Sequence, residues 1–259
     1  MQLRRDDVAL GYEDAGAGDP PLLLIHGWAT DRRLFAPLIH ATSPSHRVVA
    51  VDLRGHGESD ATIHEASVEA YADDVAWIAA QLGLVRPVVI GHSMGGLVAL
   101  EFASRFDARA AVILESPVAA PPAMAAAIQP AIDRLETDAY RDTAGNVMRM
   151  LIGEQFGDLA TRARMIDDAR ALPQHVLARS LRASVAYASR PAAARVRCPI
   201  LYVGTGARYA DLAAFKEVCP QLVIGQLVGC GHYFPIEVPE QLNPMILRFL
   251  AIHVAAAHE

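Results

Sequence analysis

Cysteine is scarce in this sequence. Cys198, Cys219 and Cys230 are odd in number and widely spaced, which excludes a disulfide framework and a C-x-x-C metal motif. Buried free thiols in a reducing compartment are the expectation. An excess of basic charge is also missing, because 23 Lys and Arg stand against 29 Asp and Glu, a net charge of −6. That leaves no electrostatic footprint for nucleic acid. The opening MQLRRDDVAL carries no apolar stretch of the kind a secretory signal needs. No run approaches the roughly 20 apolar residues that span a bilayer. A soluble, cytoplasmic chain without nucleic-acid or membrane partners is therefore expected. No HExxH or comparable cluster asks for a metal, and no cofactor is expected.

What is present suits a large buried core. The 259 residues are 53% hydrophobic, with a mean hydropathy of +0.22, enough for one α/β domain with or without an insertion. Short apolar runs bounded by turn residues read as buried parallel strands: PLLLIHG (21–27), RVVAVDL (47–53), PVVIGHS (87–93), AVILES (111–116), PILYVG (199–204) and QLVIGQLV (221–228). VALGYEDAG (8–16) reads as an antiparallel entry strand. Helical periods lie between them. Tyr71, Val75, Ile78 and Leu82 share a face behind Ser67 as N-cap. Leu242, Met245, Ile246, Phe249 and Leu250 mark a last helix, in which Pro244 is expected to kink the helix or delay its start. The alternation breaks from Pro117 to about Arg195, an Ala- and Met-rich stretch without a strand. The expected layout is a core of residues 1–116 and 196–259 with a helical cap at 117–195.

One stretch carries chemistry. In VVIGHSMGGLVAL (88–100), Gly91-His92-Ser93-Met94-Gly95 fits G-x-S-x-G between an apolar strand and a helix. So sharp a turn needs small neighbours. Its helix N-terminus faces Ser93 with free amides that can hold an oxyanion. DLRGHGES (52–59) groups Asp52, Arg54 and His56, and reads as a Gly-rich turn with buried polar pairing rather than a catalytic cluster.

Four motifs in order, HGW (26–28), DLRGHGES, GHSMGG (91–96) and GCGHYFPIEVPEQL (229–242), make the chain resemble the α/β-hydrolase superfamily from about Val8 to its end. The pattern is similar to small capped carboxylesterases, carrier-protein methyl ester esterases and enol-lactonases. The resemblance implies a mostly parallel central sheet flanked by helices. It makes Trp28 and Met94 the backbone N–H donors of the oxyanion hole. It puts the general base in the loop after the last strand, at His232, among ten histidines. A neutral imidazole there takes the Ser93 proton and returns it to the leaving group.

The acid departs from the family pattern. Members usually carry Asp a few residues after the penultimate strand, and YVGTGARYADLAAF has Ala207 at that position. Asp211 follows and looks like a helix N-cap. Some relatives, including certain lactone hydrolases and haloalkane dehalogenases, place the acid on the preceding strand, where this chain has Glu115. Glu115 is the expected third member with Ser93 and His232, and Asp211 is the alternative. The expected reaction is hydrolysis of a small or medium, uncharged, largely apolar ester or lactone through an acyl-Ser93, by a monomer or homodimer. Ser at the elbow argues against dehalogenase and epoxide-hydrolase chemistry. Carbon–carbon bond hydrolysis of a diketone-like substrate and a non-turnover ligand receptor stay open.

Overall fold

The apolar runs become strands that are covered on both faces. The computed structural model describes residues 1–62, 66–154, 156–206 and 209–254. Its strands are β1 (Gln2–Arg5), β2 (Val8–Ala15), β3 (Leu22–Ile25), β4 (Val48–Val51), β5 (Val88–His92), β6 (Ala110–Leu114), β7 (Ile200–Gly204) and β8 (Leu222–Gln226). They form one sheet in the order β1-β2-β4-β3-β5-β6-β7-β8. The β1–β2 and β2–β4 pairs are antiparallel, and every pair from β4 to β8 is parallel. Strands β3 to β7 are buried at every residue, as continuous Val/Leu/Ile runs in a doubly covered sheet require. The edge strand β8 is instead buried only at Leu222 and half-buried or exposed from Val223 to Gln226. The short strand β1 lies outside the apolar pattern. Its QLRR is held by backbone pairing with β2 rather than by burial.

Helices α1 (Ala36–Thr42), α2 (Val68–Gln81) and α3 (Met94–Arg105) alternate with the early strands. Ser67 caps α2 by accepting from Ala70 N at 3.0 Å, and Val68, Tyr71, Val75 and Ile78 form its buried face. Between β6 and β7 run α4 (Pro122–Leu135), α5 (Tyr140–Ile152), α6 (Leu159–Ala171), α7 (Gln174–Ala186) and α8 (Ser189–Arg195). After β7 come α9 (Leu212–Val218), α10 (Phe234–Glu237) and α11 (Pro239–His253). Pro244 does not delay α11, which starts at Pro239 and runs through it. The proline removes one donor from a helix whose Leu242, Ile246, Phe249 and Leu250 are buried.

The helices of the 117–195 stretch are tied to the sheet layer. Trp28 Nε1–H donates to Leu177 O at 3.0 Å, a His175 ring nitrogen to Ala61 O at 3.0 Å, and Arg33 pairs with Asp168 at 2.8 Å. The three cysteines are free, with Cys219 buried and Cys198 and Cys230 half-buried. No helix of the described residues is long and apolar enough to cross a membrane.

Candidate active site

Sheet order decides which loops meet. Because β3, β5, β6 and β7 are parallel neighbours, their C-terminal ends open on one rim, the usual ligand position of such sheets. That rim receives Trp28 after β3, Ser93 after β5, Glu115 after β6 and Thr205 after β7.

Ser93 sits between β5 and α3 at φ 53° and ψ −118°, a conformation an L-residue occupies only when its surroundings impose it. Its N–H donates to Leu114 O at 2.8 Å, and its carbonyl accepts from Ser116 Oγ at 2.7 Å. The flanking glycines answer to contact as well. A Cβ on Gly91 would land on the carbonyl of Gly95, and one on Gly95 on the carbonyls of Ile25 and His26. Other non-glycine residues at positive φ gather nearby: Ala29 at 55°, Glu115 at 42° and Ala119 at 52°.

The HGW segment is held from behind. Leu53 N–H donates to His26 Nε2 at 3.0 Å, so the ring proton is on Nδ1, which donates to Gly27 O at 2.8 Å. Thr30 Oγ1 donates to the same carbonyl at 3.0 Å. With its oxygen fixed, the Gly27–Trp28 peptide plane is fixed, and so is the direction of Trp28 N–H. Among the described residues neither Trp28 N–H nor Met94 N–H is taken by a backbone carbonyl. Burial keeps His26 below the usual imidazole range. The DLRGHGES turn supports this loop. Buried Asp52 accepts from Arg32 N at 2.8 Å and Glu58 N at 2.9 Å and pairs with the Arg32 guanidinium, while Arg54 pairs with Asp74 at 2.7 Å.

His232 is buried beside Ser93's strand. Its carbonyl accepts from His92 Nε2–H at 2.8 Å, and the two rings lie 4.7 Å apart. His92, between Gly91 and Ser93, thus ties the His232 loop to the elbow. Its own Nδ1, beside Gly27, has no hydrogen-bond partner among the described residues. Burial lowers His92 to about 4 and holds His232 well below its ordinary value, so both are neutral at pH 7. Tyr209 packs on His232 with ring centres 5.0 Å apart. Among the described residues, His232 Nδ1 has no hydrogen-bond partner.

Neither carboxylate is bonded to that nitrogen. Glu115 is buried, and its oxygens accept from Thr205 N at 2.7 Å and Thr205 Oγ1 at 2.8 Å. Burial raises its carboxyl above the ordinary range, opposed by the Thr205 bonds. Asp211 is exposed and caps α9 by accepting from Ala214 N at 2.9 Å. Ala207 lies outside the described residues. Trp28, Ser93, Met94, Glu115, Asp211 and His232 all line one cavity of about 1040 Å³ under α4, α5 and α7. Sequence reasoning missed the roles of His92, Thr205 and Tyr209. Only the first had a cue, its place inside the G-x-S-x-G motif.

The model of the alpha/beta hydrolase fold family matches residues 20–237, and the chain belongs to that family. Several similar proteins carry hydrolytic names. A 2-(acetamidomethylene)succinate hydrolase of Mesorhizobium japonicum is 26% identical over 94% of this chain and 92% of its own. The enol-lactonase from Burkholderia xenovorans LB400 superposes with a TM-score of 0.84 at 22% identity, over 97% of this chain and 100% of that one. A thermophilic esterase from Thermogutta terrifontis gives 0.83 at 23% identity, over 98% and 99%. At these identities the two structures establish likeness of fold alone.

Proposed function

We propose that the protein is a serine hydrolase that cleaves a largely apolar carboxylic ester or lactone, with helices α4–α8 as a cap over the site. The observation that carries this reading is Ser93, held in a strained turn at the N-terminus of α3, in one cavity with His232. Neutral His232 takes the hydroxyl proton as Ser93 Oγ attacks the carbonyl carbon. The developing oxyanion is held by Trp28 N–H and Met94 N–H, aided by the positive end of the α3 dipole. His232 then protonates the leaving alcohol, and water hydrolyses the acyl-Ser93 by the same steps in reverse.

Glu115 is the acid of this reading. Its two Thr205 bonds leave lone pairs on both oxygens, and its carboxylate accepts His232 Nδ1–H during turnover. The hydrolytic names of the similar proteins support the class of reaction. One observation favours a second reading, a non-turnover ligand receptor: among the described residues, His232 Nδ1 is without a carboxylate partner. A fluorophosphonate separates the two. Hydrolysis predicts a stoichiometric mass adduct on Ser93 that vanishes in Ser93→Ala. Absence of an adduct would refute it in favour of the receptor.

A further inference from the structure

The cavity is larger than catalysis of a short ester needs, and its two ends differ in chemistry. At about 1040 Å³ it stands at the top of the roughly 300–1,000 Å³ span of small-molecule sites. The rim loops contribute the polar groups Ser93, His232, Glu115 and Asp211, while Arg190 and the Tyr187 hydroxyl, which also line the cavity, are engaged by Glu217 at 3.3 Å and Glu101 at 2.6 Å. The far wall is aliphatic. Met124 and Ile128 come from α4, Val147 and Leu151 from α5, and Leu181 and Val185 from α7. All six are only half-buried, side chains of core type left without packing partners on the cavity side. Alanines of α4 stand between them and keep the space open. Among the described residues of these three helices that line the cavity, the one polar side chain is Ser184. Its hydroxyl is already spent on Ser180 O at 2.8 Å.

We infer that the substrate carries an uncharged hydrocarbon arm of medium or long chain, seated against the half-buried aliphatic wall of α4, α5 and α7. The inference rests on the hydrolase reading of the same site. An apolar arm completes the packing of that wall and gains about fourfold in binding for each methylene taken out of water. A terminal carboxylate on the arm finds no cation among the described cavity-lining residues of α4, α5 or α7, and Arg190 of α8, which also lines the cavity, is already paired with Glu217 at 3.3 Å, so burying a charge against that wall is strongly unfavourable. The wall therefore selects for chain length and against dicarboxylate substrates.

The test is a series of p-nitrophenyl acetate, butanoate, octanoate and dodecanoate, with the mono-p-nitrophenyl ester of octanedioic acid as the charged counterpart. The inference predicts at least a tenfold rise in kcat/KM from butanoate to octanoate. Adding the terminal carboxylate is expected to reverse at least a tenfold part of it. Leu181→Trp and Ala131→Trp, which fill the far end, should each lower the octanoate-to-acetate ratio about fivefold or more. Calorimetric binding of ethyl octanoate, ethyl acetate and monoethyl octanedioate to Ser93→Ala reads the arm without turnover, so it holds even if the hydrolase reading fails. A flat chain-length profile, or equal use of the octanedioate ester, in a protein whose Ser93 takes the fluorophosphonate would overturn the arm and leave the hydrolase reading intact. In a protein without the adduct, ethyl octanoate binding no better than ethyl acetate would overturn it.

Discussion

Lowering the pH should unfold this protein through its buried imidazoles, and His92 gives the effect a size. Its ring is fully buried, donates Nε2–H to His232 O at 2.8 Å, and is lowered by that burial from 6.5 to about 4. The unfolded chain binds this proton below about pH 6.5, and the folded chain resists it until about pH 4. The unfolded state thus holds more protons in that window, so stability is complete above 6.5 and falls as pH drops toward 4. The interval is worth about 3 kcal/mol at about 1.4 kcal/mol per pH unit. His26 and His232, also held low by burial, act with the same sign. Glu115, held high by burial, acts with the opposite sign, since its contribution is lost as pH rises above the usual carboxylate range. His92→Gln isolates the single group, because an amide N–H can still reach the His232 carbonyl but does not titrate. Urea unfolding at pH 7 and pH 4.5 should show the parent losing about 2 kcal/mol more than the variant across that range. Equal losses in the two proteins would refute the assignment of this acid sensitivity to His92.

Three further outcomes are expected. Glu115→Gln should lower kcat by about two to four orders of magnitude through the wrong His232 tautomer, with the fold unchanged by circular dichroism. Near-normal turnover there, together with a loss in Asp211→Asn, would move the acid role to Asp211. Gly95→Ala should destabilise the fold by about 3 kcal/mol or more in chemical denaturation, because its Cβ meets the carbonyls of Ile25 and His26. A stable, active variant would contradict the close approach of β3 to the elbow. Trp28→Phe removes the 3.0 Å bond to Leu177 O, a carbonyl inside α7 that Ser180 Oγ also approaches at 3.5 Å. It should cost about 0.5–1.5 kcal/mol in the same assay, and an unchanged midpoint would show that this bond does not hold α7.

Much of the frame could be read from one dimension. Apolar runs of strand length with turn residues at their ends, such as Pro87–Ser93 and Pro199–Gly204, mark β5 and β7 because burial on both faces removes the polar alternation. The elbow at Ser93 was legible because glycines on either side of a lone serine, between a strand and a helix, have few other reasons to occur together. Strand β1 was not legible. Its hold is a backbone ladder with β2, which any side chains can make.

The partners of Glu115 and the open face of α4, α5 and α7 were beyond the sequence for a related reason. Resemblance to relatives with the acid on the preceding strand nominated Glu115 over Asp211, yet only the folded chain turns the Glu115 carboxylate onto Thr205 and, among the described residues, leaves His232 Nδ1 without a partner. The hydrogen bond from His92 to the His232 carbonyl joins residues 140 positions apart, and no local pattern encodes such a distance. The aliphatic residues of α4, α5 and α7 looked like ordinary helix-packing faces in the sequence, where periodicity reports which side of a helix is apolar. Whether that side meets another helix or an open cavity is set by how the helices are placed over the sheet. By itself, the sequence determined the family, the tight turn at Ser93 and the apolar runs from which the sheet is built. Tertiary structure decided what each buried polar atom is paired with and which apolar face was left open to the cavity, because both depend on contacts between segments remote along the chain.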